Sequence, residues 1–126
     1  MKGRVLDNCF PRHVRLLKPD EFSRVFKNPV RSSDRFFTIL AVSSETTHAR
    51  LGLAISKKNA KRAVDRNRIK RLIRESFRLT QLSLPAIDLV VMAKPVTKSA
   101  DNQQIFHALE QHWNRLQKQC AKFSSD

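Results

Sequence analysis

Residues 49–56, ARLGLAIS, alternate as a β-strand does, and residues 87–93, IDLVVMA, form a second short apolar run. The segment between them decides how the two can be joined. Ile69, Leu72, Ile73, Ser76 and Phe77 stand at i, i+3, i+4, i+7 and i+8, a single helical stripe that must pack on the sheet. At about 100° per residue, Asn67, Arg71, Arg74 and Arg78 fall on the opposite side. Strand, amphipathic helix and strand in succession specify a mixed α/β fold whose connecting helix is apolar beneath and cationic above.

That cationic side is not balanced by acids. Residues 56–78 hold ten lysines and arginines against Asp65 and Glu75, so +8 of the formal +14 lies in this segment and +6 in all the rest. Most charge runs are merely solvated faces. A solvated helix, however, mixes its signs to gain i, i+4 pairs, whereas this one accepts self-repulsion that a polyanion would relieve. Each phosphate neutralised by Lys or Arg also releases a condensed counterion, so nucleic acid leads the partners. Lys57, Lys58, Lys61 and Arg62 fill the turn leaving the strand, with Asn59 as candidate N-cap. Arg66 and Arg68 flank Asn67, spreading two guanidinium forks and an amide over a wide arc, and Lys70, Arg71 and Arg74 continue the basic surface. Arginine outnumbers lysine within the helix, and its planar fork bridges phosphate oxygens or stacks on bases as an ammonium does not. Structured RNA is a natural target, although an arginine-rich helix also fits a DNA major groove.

The remaining sequence fits one domain of 126 residues, with only two glycines, no repeat and no linker. The first 15 or so residues look loosely organised. KPDEFSRVFKNP has Pro19 and acids 20 and 21 at its start and Pro29 at its end, which predicts a short helix. RFFTILAVS predicts a strand, with Phe37, Ile39 and Ala41 on one side and Phe36, Thr38, Leu40 and Val42 on the other. IDLVVMA, apolar almost throughout, predicts a central strand covered on both faces. Residues from Asp101 to about Lys122 carry Ile105, Ala108, Leu109, His112, Leu116 and Cys120 at helical spacing, and Asp101 with Gln104 forms a candidate capping box.

Several functional classes find no support. The longest uncharged runs, such as residues 36–44, are too short to span a bilayer, and the first 15 residues interleave charges with apolar residues and lack a signal-peptide core. A cytoplasmic location and no membrane partner are expected. Cys9 and Cys120 are 111 positions apart and sit near no metal-binding pattern, which favours two reduced thiols. His107 and His112 are five apart, not the i, i+4 spacing of a ligand pair. The eleven acids are scattered without a D-x-D or H-x-x-E constellation, so no catalytic residue, protein-bound metal or small-molecule substrate is expected. A second surface is also legible. Gly52, Ala54 and Ser56 leave a strand face with little bulk, where a single strand could approach, and Phe22 and Phe26, one turn apart, could supply a stacking wall. Aromatics so spaced more often pack in a core.

The stretch LGLAISKKNAKRAVDRNRIKRLIRESFR closely resembles the bacterial ribonuclease P protein component, and the likeness runs from FPRHVRLLKPDEFSRVF through DLVVMAKP to the final helix. The resemblance implies an α/β (α+β) two-layer sandwich ordered α-β-β-β-α-β-α, with four strands and a left-handed βαβ crossover, a hand that spacing alone would not suggest. Three strands are legible from periodicity, so the fourth is expected to be short and to flank a hairpin. The resemblance also implies that the protein binds a large catalytic RNA, and that this ribonucleoprotein uses magnesium ions to remove the 5′ leader of precursor tRNA. Arg66, Asn67 and Arg68 match the family's RNR motif facing the catalytic RNA, and Lys57, Lys58, Lys61 and Arg62 its basic segment. Phe22, Phe26, Thr38, Leu40 and Ser56 match its leader-binding cleft. Many relatives carry an aromatic where this chain has Leu40, which implies apolar contact there rather than stacking. A structural RNA-binding protein of ribosomal type, or a DNA-binding regulator, would share the charge but not the cleft.

Overall fold

A computed structural model describes residues 15, 19–44, 46–56 and 61–120. Helix α1 (Pro19–Phe26) begins on proline, carries Asp20 and Glu21 in its first turn and Arg24 in its last, and so complements its own dipole. It stops before Asn28, whose φ of 50° lies in the left-handed region that asparagine tolerates. Strands β1 (Val30–Ser33), β2 (Phe37–Ser43) and β3 (Arg50–Ala54) follow, then helix α2 (Ala63–Thr80), strand β4 (Ile87–Ala93) and helix α3 (Asn102–Gln119). The order is the expected α-β-β-β-α-β-α. The fourth strand is β1, paired antiparallel with β2. Its sequence, VRSS, holds one apolar residue, so periodicity could not register it.

The sheet runs β1-β2-β4-β3. Strand β4 is central as expected, antiparallel to β2 and parallel to β3, so β2 and β3 adjoin in sequence but not in space. An isolated parallel bridge from Arg15 to Leu51 lies beside β3. The β1–β2 turn also departs from the expected strand start. Arg35 and Phe36 belong to the turn, where the Asp34 carboxylate accepts the backbone N–H groups of Phe36 and Phe37, each at 2.8 Å. Phe36 consequently joins the main core instead of sharing a face with Thr38.

On the inner face, Phe37, Ile39, Ala41, Leu51, Leu89 and Val91 meet the α2 stripe, Ile69, Leu72, Ile73 and Phe77, and α3 through Ile105, Leu109, Trp113 and Leu116. Burying each large aliphatic or aromatic side chain here contributes about 1.5–3 kcal/mol. Ser76 interrupts the stripe without leaving an orphan, because the Trp113 indole N–H donates to its Oγ at 2.8 Å. Trp113, beside Leu109 and Leu116, was not among the residues the helical spacing singled out. The Asp101–Gln104 capping box is present in both directions, at 2.8 and 3.0 Å. Cys120 is buried with a free thiol, while Cys9 lies outside the described residues. Helix α1 packs on the outer face, where Val25, Leu40 and Val90 form a small cluster with Phe22, Val42, Ala54 and Met92. Cover on both faces explains why β4 is apolar almost throughout. Among the described residues no helix is long and apolar enough to cross a membrane.

Candidate nucleic-acid interface

Helix α2 buries its expected stripe, which turns Asn67, Arg71 and Arg74 to solvent. Its N-cap position is held by Arg62, without a side-chain cap, three residues after the asparagine expected there. Asn59, Lys57 and Lys58 lie outside the described residues. The two acids of the segment each occupy one arginine. Asp65 pairs with Arg62 at 3.1 Å and Glu75 with Arg78 at 2.6 Å. The Arg62 hydrogen bond holds the Asp65 carboxyl below its ordinary range, with Lys98 and Arg68 adding their charges. Lys98, in the short helical turn Pro95–Ser99, therefore extends the basic surface, although it lies far from the basic helix in sequence.

The RNR triplet is not uniformly outward. Arg66 donates to the Lys61 carbonyl at 2.8 Å. Arg68 turns toward α3, donating to the Ala100 carbonyl at 2.6 Å and to Asn102 Oδ1 at 2.9 and 3.2 Å. Its Nη1 has no partner among the described residues, so Arg68 braces two helices through one side of its fork. Asn67 is exposed between them. Lys61, Lys70 and Arg71 form no ion pair among the described residues. Arg74 is exposed as a whole residue, yet partial desolvation of its guanidinium lowers its pKa and the like charge of Arg15 lowers it further, a mark of cations gathered together. Among the described residues, then, the segment's two carboxylates serve Arg62 and Arg78, and Lys61, Lys70 and Arg71 keep their charge without an ion pair.

The outer face of the sheet is ordered in rows across the strands. Val42, Asp88 and Arg50 form one, Arg31, Leu40, Val90 and Gly52 the next, and Ser33, Thr38, Met92 and Ala54 the third. Helix α1 sits over the first two. Asp88, fully buried, receives Arg50 through a two-pronged contact at 2.8 and 2.7 Å and is also met by Arg24 of α1. Arg50 reaches Glu21 at 3.0 Å, and Arg24 donates to the Ser43 carbonyl at 3.0 Å. Four charges of alternating sign therefore clamp α1 to β3 and β4.

Beyond this clamp the third row forms a partly covered strip beside α1, the trough, in which Ser33 is exposed, Met92 and Ala54 are half-buried and Thr38 is buried. Phe22 is half-buried in the cluster under α1, and Phe26 stands 48% exposed at the rim. Thr38, its hydroxyl 3.2 Å from Ser33 Oγ, lies in the floor, and Ser56 is exposed just beyond Ala54. Leu40, 7% exposed, and Thr38, 8% exposed, are covered almost equally, so both support the floor more than they offer surface. Met92 and Ser33 share the floor and had not been singled out. Their register with Thr38 is visible only once the strand order is known.

A separate polar network lies under α3. Ser32 Oγ is 2.6 Å from His112 Nδ1 and accepts from Arg115 at 3.0 Å, while His112 Nε2 lies 3.1 Å from Asp34. Burial lowers the His112 pKa and outweighs the Asp34 charge that raises it. The hydroxyl thus donates to a neutral imidazole, which keeps its proton on Nε2. Burial also raises the Asp34 pKa, but the N–H groups of Phe37 and Phe36, with His112, outweigh it and hold the carboxyl below its ordinary range. Ser, His and Asp are the residue types of a nucleophilic triad, yet Ser32 and His112 are sealed in the interior where no substrate reaches.

Residues 10–117 match the family profile described as Ribonuclease P. The chain is 51% identical over 116 residues to the Ribonuclease P protein component of Methylococcus capsulatus, covering 92% of this chain and 91% of the relative. It is 50% identical over 107 residues to that of Escherichia coli O157:H7, covering 85% and 90%. Among solved structures, it is similar to the RNase P protein of Staphylococcus aureus, with a TM-score of 0.75, 35% identity and coverage of 81% and 93%. It is similar also to that of Thermotoga maritima, with a TM-score of 0.70, 27% identity and coverage of 82% and 96%. The chain belongs to the ribonuclease P protein component family.

Proposed function

We propose that the protein acts within a cytoplasmic ribonucleoprotein that removes the 5′ leader of precursor tRNA. The cationic face of α2 engages the catalytic RNA, and the trough beside α1 receives the single-stranded leader. The observation that carries this reading is the division of labour between two surfaces. One is a helix whose cations outnumber the acids that reach them, and the other is a shallow, nearly uncharged row of Ser33, Thr38, Met92 and Ala54 beside an exposed aromatic. The chain passes from Ser56 at the trough to Lys61 before α2, so the two surfaces adjoin.

The protein's share of the reaction is electrostatic and positional. Arginine and lysine offset repulsion between two RNAs, and a leader held in the trough adds binding energy that mature tRNA lacks. Magnesium supplies the hydrolytic chemistry in the RNA-based holoenzyme. Among the described residues no three His, Cys, Asp or Glu are grouped to hold an ion. Reconstitution with the cognate RNA at low magnesium tests the reading. Leader removal should be stimulated, with tighter binding of leader-bearing than leaderless tRNA. Equal affinity for the two would leave only a structural RNA-binding role.

A further inference from the structure

The trough has a charged end. Lys94 follows β4 directly, and its backbone N–H donates to the Phe36 carbonyl at 2.8 Å, so it continues the strand's alternation one step past Met92 on the outer face. Its ammonium donates to Ser33 Oγ at 3.1 Å and to the Asp34 backbone carbonyl. Both acceptors are neutral. The one carboxylate in the turn, that of Asp34, is engaged by the N–H groups of Phe36 and Phe37 and lies beside His112. An ammonium has three donors, and two are used here to fix its position without cancelling its charge. Ser33 heads the row that includes Thr38, Met92 and Ala54, so the fixed cation stands at the β1 end of the trough floor.

We propose that Lys94 is a specificity-determining residue whose remaining N–H binds one phosphate oxygen of the single strand lying in the trough. This rests on the leader-binding reading of that surface. Among the described lysines Lys94 alone is fixed by side-chain hydrogen bonds, and it is held where a backbone crossing the Ser33 row must pass. The row itself offers hydroxyls, a thioether and a methyl group, and the one cation adjoining it on β1 is the exposed Arg31, two residues before Ser33, so one phosphate is fixed at Lys94 and the bases beyond it are read loosely.

The test uses the holoenzyme assembled with its catalytic RNA, and compares precursor tRNA carrying a leader with leaderless tRNA across a salt series. Lys94→Gln retains an N–H for Ser33 and removes the charge, while Lys94→Met removes both. Both variants should weaken binding of the leader-bearing substrate by roughly three- to tenfold and reduce its salt slope by about one, with leaderless tRNA unaffected. Lys94→Arg should retain most of the discrimination. Lys118→Ala, in the last turn of α3, removes equal charge away from the trough and should change neither substrate. Weakening of both substrates alike, or of neither, by Lys94→Gln overturns the proposal. Phe26→Ser separates the causes. If it lowers leader affinity while Lys94→Gln does not, the trough binds the leader without this lysine. If neither variant alters leader discrimination, the trough reading fails and the role of Lys94 with it.

Discussion

Removing the Asp88 carboxylate should cost the protein a large part of its stability. Asp88 is 0% exposed and faces two guanidinium groups, Arg50 with a side chain 12% exposed and Arg24 with one 31% exposed. Breaking a buried ion pair by deleting one partner costs about 3–5 kcal/mol, since the other charge remains desolvated. Water already reaches part of Arg24, and Glu21 still serves Arg50, so Asp88→Ala should fall at the lower end, about 3 kcal/mol. For a chain of this size that lowers Tm by roughly 12 °C, at about 4 °C per kcal/mol. Urea unfolding with linear extrapolation gives the free energy, and a double-mutant cycle with Arg50→Met isolates the pair. Replacing Asp88, Arg24 and Arg50 together by apolar residues of similar volume should recover most of the loss, because desolvated charge would no longer be left behind. A cost for Asp88→Ala below about 1 kcal/mol, or a negligible coupling to Arg50, would refute the clamp as the device that holds α1.

Other perturbations probe the remaining contacts. Arg68→Ala should destabilise the fold by about 1–2 kcal/mol through its lost bonds to Ala100 and Asn102 as well as weaken RNA binding, whereas Arg71→Ala should leave stability within about 0.5 kcal/mol and reduce the salt slope of RNA binding by about one. Thermal unfolding paired with filter binding distinguishes them. Ser76→Ala strands the Trp113 indole N–H and should cost about 1–3 kcal/mol, measurable by urea unfolding, while adding Trp113→Phe should not double the loss. His112 is held neutral, its pKa below the ordinary 6.5, so the unfolded chain binds the extra proton first. Its contribution is complete above pH 6.5 and is lost as the pH falls through that value toward the folded pKa. His112→Gln should flatten this acid-side slope in stability measured from pH 7.5 to 5.

The elements that periodicity could fix were those whose partners are implied by their own pattern. The α2 stripe from Ile69 to Phe77 and the α3 stripe from Ile105 to Cys120 each name a buried face without reference to the rest of the chain. The capping box of α3 is similarly local. Strand β1 was not legible because Val30 and three small or polar neighbours carry no alternation, and its pairing depends on a turn set by Asp34. Sheet order was beyond spacing altogether. Nothing in ARLGLAIS or RFFTILAVS says that a strand more than thirty residues downstream of β3 will separate them. The candidate surfaces divide in the same way. A basic helix face could be read from residue types, but which of its arginines is occupied depends on distant acceptors, as with Arg68 and the carbonyl of Ala100. Of the small residues on the β3 face, Ala54 and Ser56 border the trough, whereas Gly52 is buried in the row beneath α1, and Met92 and Lys94 join the trough only through register. The single acid in IDLVVMA was a cue to the clamp, because a carboxylate in an otherwise apolar strand demands partners. Those partners lie 38 and 64 positions away.

The placement of β4 between β2 and β3 bears on how the chain is made. Synthesis proceeds from the amino end, so the polycation of α2 leaves the ribosome before the strand that will seat it, and β2 waits for the same late arrival. For that interval the arginines hang on an unsupported amphipath in a compartment crowded with RNA. Long-range pairings of this kind make folding slow, and they favour any polyanion that quiets the nascent helix until its sheet is complete.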